Sequence, residues 1–164
     1  AGLLLLFLTG CINNASSVLV SENVLPKHFN EIAFSPEEGY APFLVMKATD
    51  QATFNKLWDF YNFDGEAKRL DFDRKGVIFI GIYESSCESV VSNIRSVKDE
   101  IRIDIDSEMG SGGCAEIANP RSFIIEWDKN DLKKLSKVTF TEGHDEIKIP
   151  FKELAEFKND GAAS

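Results

Sequence analysis

Apolar positions along the chain change period several times, and each change marks an element. After Pro42, Phe43-Leu44-Val45-Met46 reads as a strand. Asp50 then supplies an N-cap, and Phe54, Leu57, Trp58 and Tyr61 recur at helical spacing on one face. The spacing predicts one main helix over 51–61, ended by Gly65 and the charged run behind it. Its aromatic stripe reads as core rather than as a ligand platform. Val77 to Tyr83 is a continuous apolar run, the mark of a central strand covered on both faces. Val90 to Val97 and Ile101 to Asp106 read as a hairpin across Lys98-Asp99-Glu100. Ile101, Ile103 and Ile105 alternate with Arg102, Asp104 and Asp106, so one face is dry and the other wet. Pro120 opens a further strand through Phe123-Ile124-Ile125-Glu126-Trp127. Asp128 caps a short helical turn through Leu132 to Leu135. Val138 to Thr141 and Ile147 to Phe151 make a last hairpin around Glu142-Gly143-His144-Asp145. One early helix followed by about six strands predicts an α+β fold with a largely antiparallel sheet.

The amino terminus follows a different logic. Leu3 to Leu8 is apolar but too short to span a bilayer as a helix. It ends in Leu8-Thr9-Gly10-Cys11 and passes into the polar stretch Asn13-Asn14-Ala15-Ser16-Ser17. A short apolar core and small residues before a cut site describe a secretory leader. The four residues resemble the bacterial lipobox, in which cleavage precedes a cysteine that carries diacylglycerol on its sulfur. No basic segment stands ahead of Leu3, so residues 1–10 read as the remnant of a leader and Cys11 as the lipid-attachment site. Residues 11–40 carry Asn, Ser, Glu and Pro without a sustained period and read as a tether, although Val18 to Val20 and Phe29 to Phe34 have the composition to add a strand. The domain is expected over 41–152 and a tail over 153–164. These features place the protein outside the cytoplasm, lipid-anchored to a bacterial membrane.

Composition narrows the choice of partners. The chain has 164 residues, 43% of them apolar, which suits one domain with a real core. Its formal net charge of -9 disfavours nucleic acid and a polybasic grip on anionic headgroups.

With Cys11 assigned to lipid, Cys87 and Cys114 remain, an even number in an oxidising compartment. Pairing across the Lys98 turn brings the region of Cys87 opposite Gly110 and Ser111, and Gly112-Gly113 lets the chain curl back to place Cys114. A disulfide closing about 26 intervening residues is worth roughly 3 kcal/mol in chain entropy. Two free thiols are the alternative. A metal held by the two thiolates is disfavoured, because His28 and His144 stand at no ligand spacing from them.

Other chemistry is thinly represented. Asp104-Ile105-Asp106-Ser107-Glu108-Met109-Gly110 resembles the alternate carboxylates and glycine of a calcium loop, but the glycine falls one residue late. The isoleucine alternation already explains both aspartates as the wet side of a strand. Asp71 and Asp73 read as a solvated strand entry. Gly110-Ser111-Gly112-Gly113 has no following Lys-Ser/Thr and is no phosphate loop. Ser85, Ser86 and Ser111 have no histidine nearby in sequence, and His144 reaches them only through folding. No metal, cofactor or catalytic set is therefore expected.

The order of these elements carries a resemblance. A helix with Phe54-x-x-Leu57-Trp58, Leu70-Asp71-Phe72 before an apolar strand, a small-residue turn, a long hairpin, and Pro120 leading into a strand closed by Lys129 resembles the PrcB carboxy-terminal domain family over about residues 43 to 129. The family's Thr-Gly-Gly-Tyr turn stands here as Ser85-Ser86-Cys87-Glu88, and its Pro-rich loop as Gly110-Ser111-Gly112-Gly113-Cys114. The family is named for a subunit of a bacterial surface protease complex, and its members are commonly secreted or lipid-anchored. The resemblance implies protein binding rather than catalysis, with a protease-like partner.

Two function classes follow. The first is a membrane-tethered, non-enzymatic binding or accessory domain. Its surface is expected on the loops carrying Ser85, Ser86, Glu88, Glu108, Ser111 and Glu116, facing a partner with a basic surface or a cation; a connector stapled for stability is the alternative. The second is an envelope hydrolase using a serine or carboxylate with His144.

Overall fold

The computed structural model describes residues 17–36, 40–98, 100–109, 111–142 and 145–157. Cys11, His144 and Gly110 lie outside the described residues. The chain folds as β1 (Ser17–Glu22), α1 (Phe29–Ile32), β2 (Leu44–Ala48), α2 (Gln51–Phe60), β3 (Lys75–Glu84), β4 (Ser89–Val97), β5 (Glu100–Ser107), β6 (Asn119–Asp128), α3 (Lys129–Lys134), β7 (Lys137–Glu142) and β8 (Asp145–Pro150), with a 3-10 turn at Leu154–Phe157.

The expectation of an α+β fold with one main helix on a largely antiparallel sheet of about six strands is overturned: the structure is sheet-dominated and its helices are all short. Two four-stranded sheets form, ordered β1-β6-β3-β2 and β4-β5-β7-β8. The first is antiparallel throughout, whereas β5 and β7 pair in parallel. The parallel pair has a topological cause. After β5 the chain returns along β6 in the other sheet, turns through α3, and sets out again beside β5 in the same direction. Alternation within each strand shows that a face is buried but not which sheet covers it, so the division into two sheets is invisible in the pattern. Part of the stretch read as a tether also lies in the fold, since Ser17–Glu22 pairs along β6 as an edge strand. Its side chains stay exposed or half-buried, and that is why its apolar signal is weak.

The β1-β6-β3-β2 sheet lies between two apolar layers. On one face Leu44, Met46, Phe79 and Ile124 pack against Phe54, Leu57, Trp58 and Tyr61 of α2 and its C-terminal end. Asp50 caps that helix, accepting from Thr53 N at 2.8 Å, and this bond holds its carboxyl below the ordinary range. Tyr61 is fully buried, and its hydroxyl points at the carbonyls of Leu44 (3.1 Å) and Phe79 (3.4 Å). Gly81 makes room for this layer: a Cβ there would meet Leu25 Cδ2 at 2.8 Å and the Phe29 ring at 3.2 Å. On the other face Val45, Ile78, Ile80, Phe123 and Ile125 meet Ile101, Ile103, Val138, Phe140 and Ile149 of the second sheet. Both faces of β3 are thus covered, which accounts for its unbroken apolar run.

This inter-sheet layer has two ends. At one, α3 lays Leu132 and Leu135 across the gap. Asp128 caps α3 at its start, accepting from Asn130 N and Asp131 N. Lys47 Nζ reaches the carbonyls of Leu132 (3.3 Å) and Leu135 (2.7 Å) at its finish. At the other end the chain crosses twice between the sheets, through residues 85–88 and 108–118. Among the described residues no helix is long and apolar enough to cross a membrane.

Candidate functional site

The two crossings are bound together. Cys87 and Cys114 form a disulfide with their Cα atoms 5.3 Å apart. Gly113 precedes the bond at φ 72°, a left-handed conformation that side-chain-bearing residues rarely adopt. Hydrogen bonds reinforce the link. Ser86 N donates to Ala115 O at 3.1 Å, Ala115 N donates to Ser86 Oγ at 2.7 Å, and Glu108 N donates to Glu88 O at 2.9 Å. Ser85 Oγ accepts from Cys87 N at 3.1 Å. The hydroxyls of Ser85 and Ser86 therefore serve the loop backbone. Glu88, Glu108, Ser111 and Glu116 stand exposed on the same loop pair.

A buried ion pair underlies the loops. Glu84 ends β3 and Arg121 lies near the start of β6, with side chains only 3% and 7% exposed. Arg121 Nε donates to both Glu84 carboxylate oxygens, at 3.0 and 3.1 Å, and Nη2 donates to Oε1 at 2.9 Å. Ser89 N (2.7 Å) and Asn23 Nδ2 (3.3 Å) complete the carboxylate's partners. Arg121 also donates to Ser21 Oγ at 3.2 Å and lies 3.3 Å from Glu88 Oε1. The pair ties β1, β3, the start of β4 and β6 to one point. Sequence reasoning missed it, although a signal was present. Glu84 continues the inward phase of Ile78, Ile80 and Ile82, and Arg121 that of Trp127, Ile125 and Phe123. Two opposite charges in the buried phase of neighbouring strands announce a buried pair.

Two apolar side chains on the second loop were also missed. Met109 is 75% exposed and Ile117 50%, beside Glu108 and Glu116. Next to the loops, between the sheets, lies a partly enclosed cavity of about 190 Å³ whose lining includes Phe43, Ile82, Ile105 and Phe140.

The remaining candidates are accounted for by local bonds. Asp104 pairs with Arg95 and accepts from Asn93 Nδ2 at 3.1 Å on the outer face of the second sheet. Burial pushes its carboxyl up, but hydrogen bonds led by Arg95 outweigh this and hold it below the ordinary value. Asp71 Oδ1 accepts from Asp73 N at 3.0 Å, closing the turn before β3. His28, exposed at the start of α1, lies 3.6 Å from Glu31. Among the described residues no three His, Cys, Asp or Glu side chains converge as a metal-ligand set.

No family model, curated protein or solved structure matches the chain. The resemblance to the PrcB carboxy-terminal domain family rests on the quoted residues alone.

Proposed function

We propose that this protein is an extracytoplasmic, lipid-anchored binding domain that engages another protein through the cross-linked loop pair and catalyses no reaction. The observation that carries the reading is the Cys87–Cys114 bond in the loop pair that also carries exposed Met109 and Ile117. Disulfides persist in oxidising compartments, and loops held on a rigid sheet are where binding residues concentrate. Exposed apolar side chains on such a loop suit a protein contact better than a solvated connector. Glu88, Glu108 and Glu116 around them favour a partner with a basic surface, and such charge matching acts on encounter and specificity.

Strand direction supports the anchor reading. β1 begins at Ser17 opposite Glu126 and runs toward Ser122, so its first residue lies at the α3 end and its last at the disulfide end. From Cys11 to Ser17 an extended chain reaches roughly 20 Å. An anchor at Cys11 would tie the domain to the lipid from its α3 end. Two or three acyl chains, at about 0.8 kcal/mol per buried CH₂, hold such a protein stably.

The test has two parts. In a bacterial host carrying a full leader, fatty-acid label should enter the protein and be lost in Cys11→Ala; label persisting in that variant refutes the anchor. The intact protein should then capture a partner from its own membranes, and Met109→Ser with Ile117→Ser should release it. Unchanged capture by that double variant refutes the loop surface.

A further inference from the structure

We propose that the cavity at the disulfide end binds a small molecule with a compact apolar body, of phenyl or branched-alkyl size, and a neutral or cationic head. This goes beyond the protein-binding reading and does not depend on it. The volume, about 190 Å³, exceeds the roughly 150 Å³ of an apolar protein cavity that stays dry and takes up benzene. Part of its wall is hydrocarbon: Ile82 and Ile105 from the two sheets, and the stacked rings of Phe43 and Phe140, 4.9 Å apart at 25°.

The space exists because of how this end is closed. Past Ile82, the next inward side chain of β3 is Glu84, and it turns to Arg121 rather than filling the gap. At the α3 end, Leu132 and Leu135 occupy the corresponding gap between the sheets. The fold therefore has the means to fill an end and leaves this one open.

Head-group preference follows from the polar lining. Glu84 and the serines at positions 85, 89 and 107 border the cavity, and among the described residues no Lys, Arg or His lines it. The nearby guanidinium of Arg121 is committed to Glu84, Glu88 and Ser21. With Glu84 and Glu88 around the single Arg121 guanidinium, this corner keeps one net negative charge, which favours a hydroxyl or ammonium head on the serine hydroxyls over a carboxylate head.

Benzyl alcohol, benzylamine and benzoate, titrated separately into the intact oxidised chain and followed by NMR, test this. The first two should give saturable shifts at Ile82, Ile105 and Phe140, and benzoate none. Ala41 is an exposed lining residue, so Ala41→Trp blocks the cavity without entering the core and should weaken binding by about tenfold or more. Ile105→Phe, which fills the space from inside, should do the same. Absence of saturable shifts with both the alcohol and the amine overturns the site. Unchanged binding in both variants overturns its location, and benzoate binding as tightly as benzylamine overturns the head-group assignment.

Discussion

At the α3 end of the inter-sheet layer, Leu132 and Leu135 are buried to 0% and 7% exposure, and Lys47 satisfies the carbonyls that the short helix leaves open. At the disulfide end, a covalent bond and loop hydroxyls join the two loops that cross between the same sheets, and a buried Glu84–Arg121 pair ties β3 to β6 below them, with a cavity left beside them. Hydrocarbon closure hides its own surface and leaves little to recognise. Closure by staples frees the loop side chains from packing, so Met109, Ile117, Glu108 and Glu116 can face outward from a fixed frame. The difference separates what holds this domain together from what it offers to others.

The sharpest way to break the comparison is at Arg121. Arg121→Ala leaves Glu84 buried and uncompensated and should cost about 3–5 kcal/mol in chemical denaturation. Replacing both partners by hydrocarbon, as Glu84→Met with Arg121→Leu, should recover most of that loss, because the pair serves architecture more than net stability. Failure of the double variant to recover would mean that the two charges themselves are required.

Leu132→Ala at the opposite end should cost about 2–5 kcal/mol through lost contact and an unfilled space. That cost should be equal with and without reductant, since Leu132 and the disulfide lie at opposite ends of the inter-sheet layer. A reductant-dependent cost would show that the ends are coupled.

Removing the disulfide by Cys87→Ser with Cys114→Ser should cost about 3 kcal/mol, from the freed loop entropy of the unfolded chain. Hydrogen exchange should rise in residues 85–88 and 108–119 of that variant and stay unchanged in α3. Uniform acceleration would contradict a local staple.

The smallest effect belongs to neither end. Asp50→Ala should destabilise by about 1 kcal/mol at neutral pH through loss of the α2 cap. The folded-state carboxyl is depressed, so its contribution is present above the unfolded value and is lost as pH falls through the folded one. The gap between wild type and variant should therefore narrow below about pH 4. A gap that widens on acidification would assign the cap the wrong sign.

What was legible in the sequence follows the same division. The helix at Gln51–Phe60 and the strands around Ile80, Ile103 and Ile125 announce themselves because burial imposes a period. The Cys87–Cys114 bond was readable because a hairpin places its two ends side by side. The split into two sheets was not, because Ile103 reads as buried whichever sheet faces it. β1 stood only as an option at Val18 to Val20 within a stretch read as a tether, because an edge strand with Val18 41% exposed carries little hydrophobic signal. The Glu84–Arg121 pair was readable in principle from its phase, but only once β3 and β6 are known to be neighbours. Met109 and Ile117 sit in a loop, where no period says whether an apolar side chain is covered.

The most direct test sets the two ends against each other in one binding measurement. Glu88, Glu108 and Glu116 are changed together to Gln in one variant; Asp131→Asn, Lys133→Gln and Lys134→Gln are combined on α3 in a second. Both are checked for fold, and partner recovery from native membranes is quantified at low salt. The disulfide-end variant should lose most of the bound partner, and the α3 variant should retain it. Equal recovery by both, or loss confined to the α3 variant, would place the interaction surface away from the cross-linked loops.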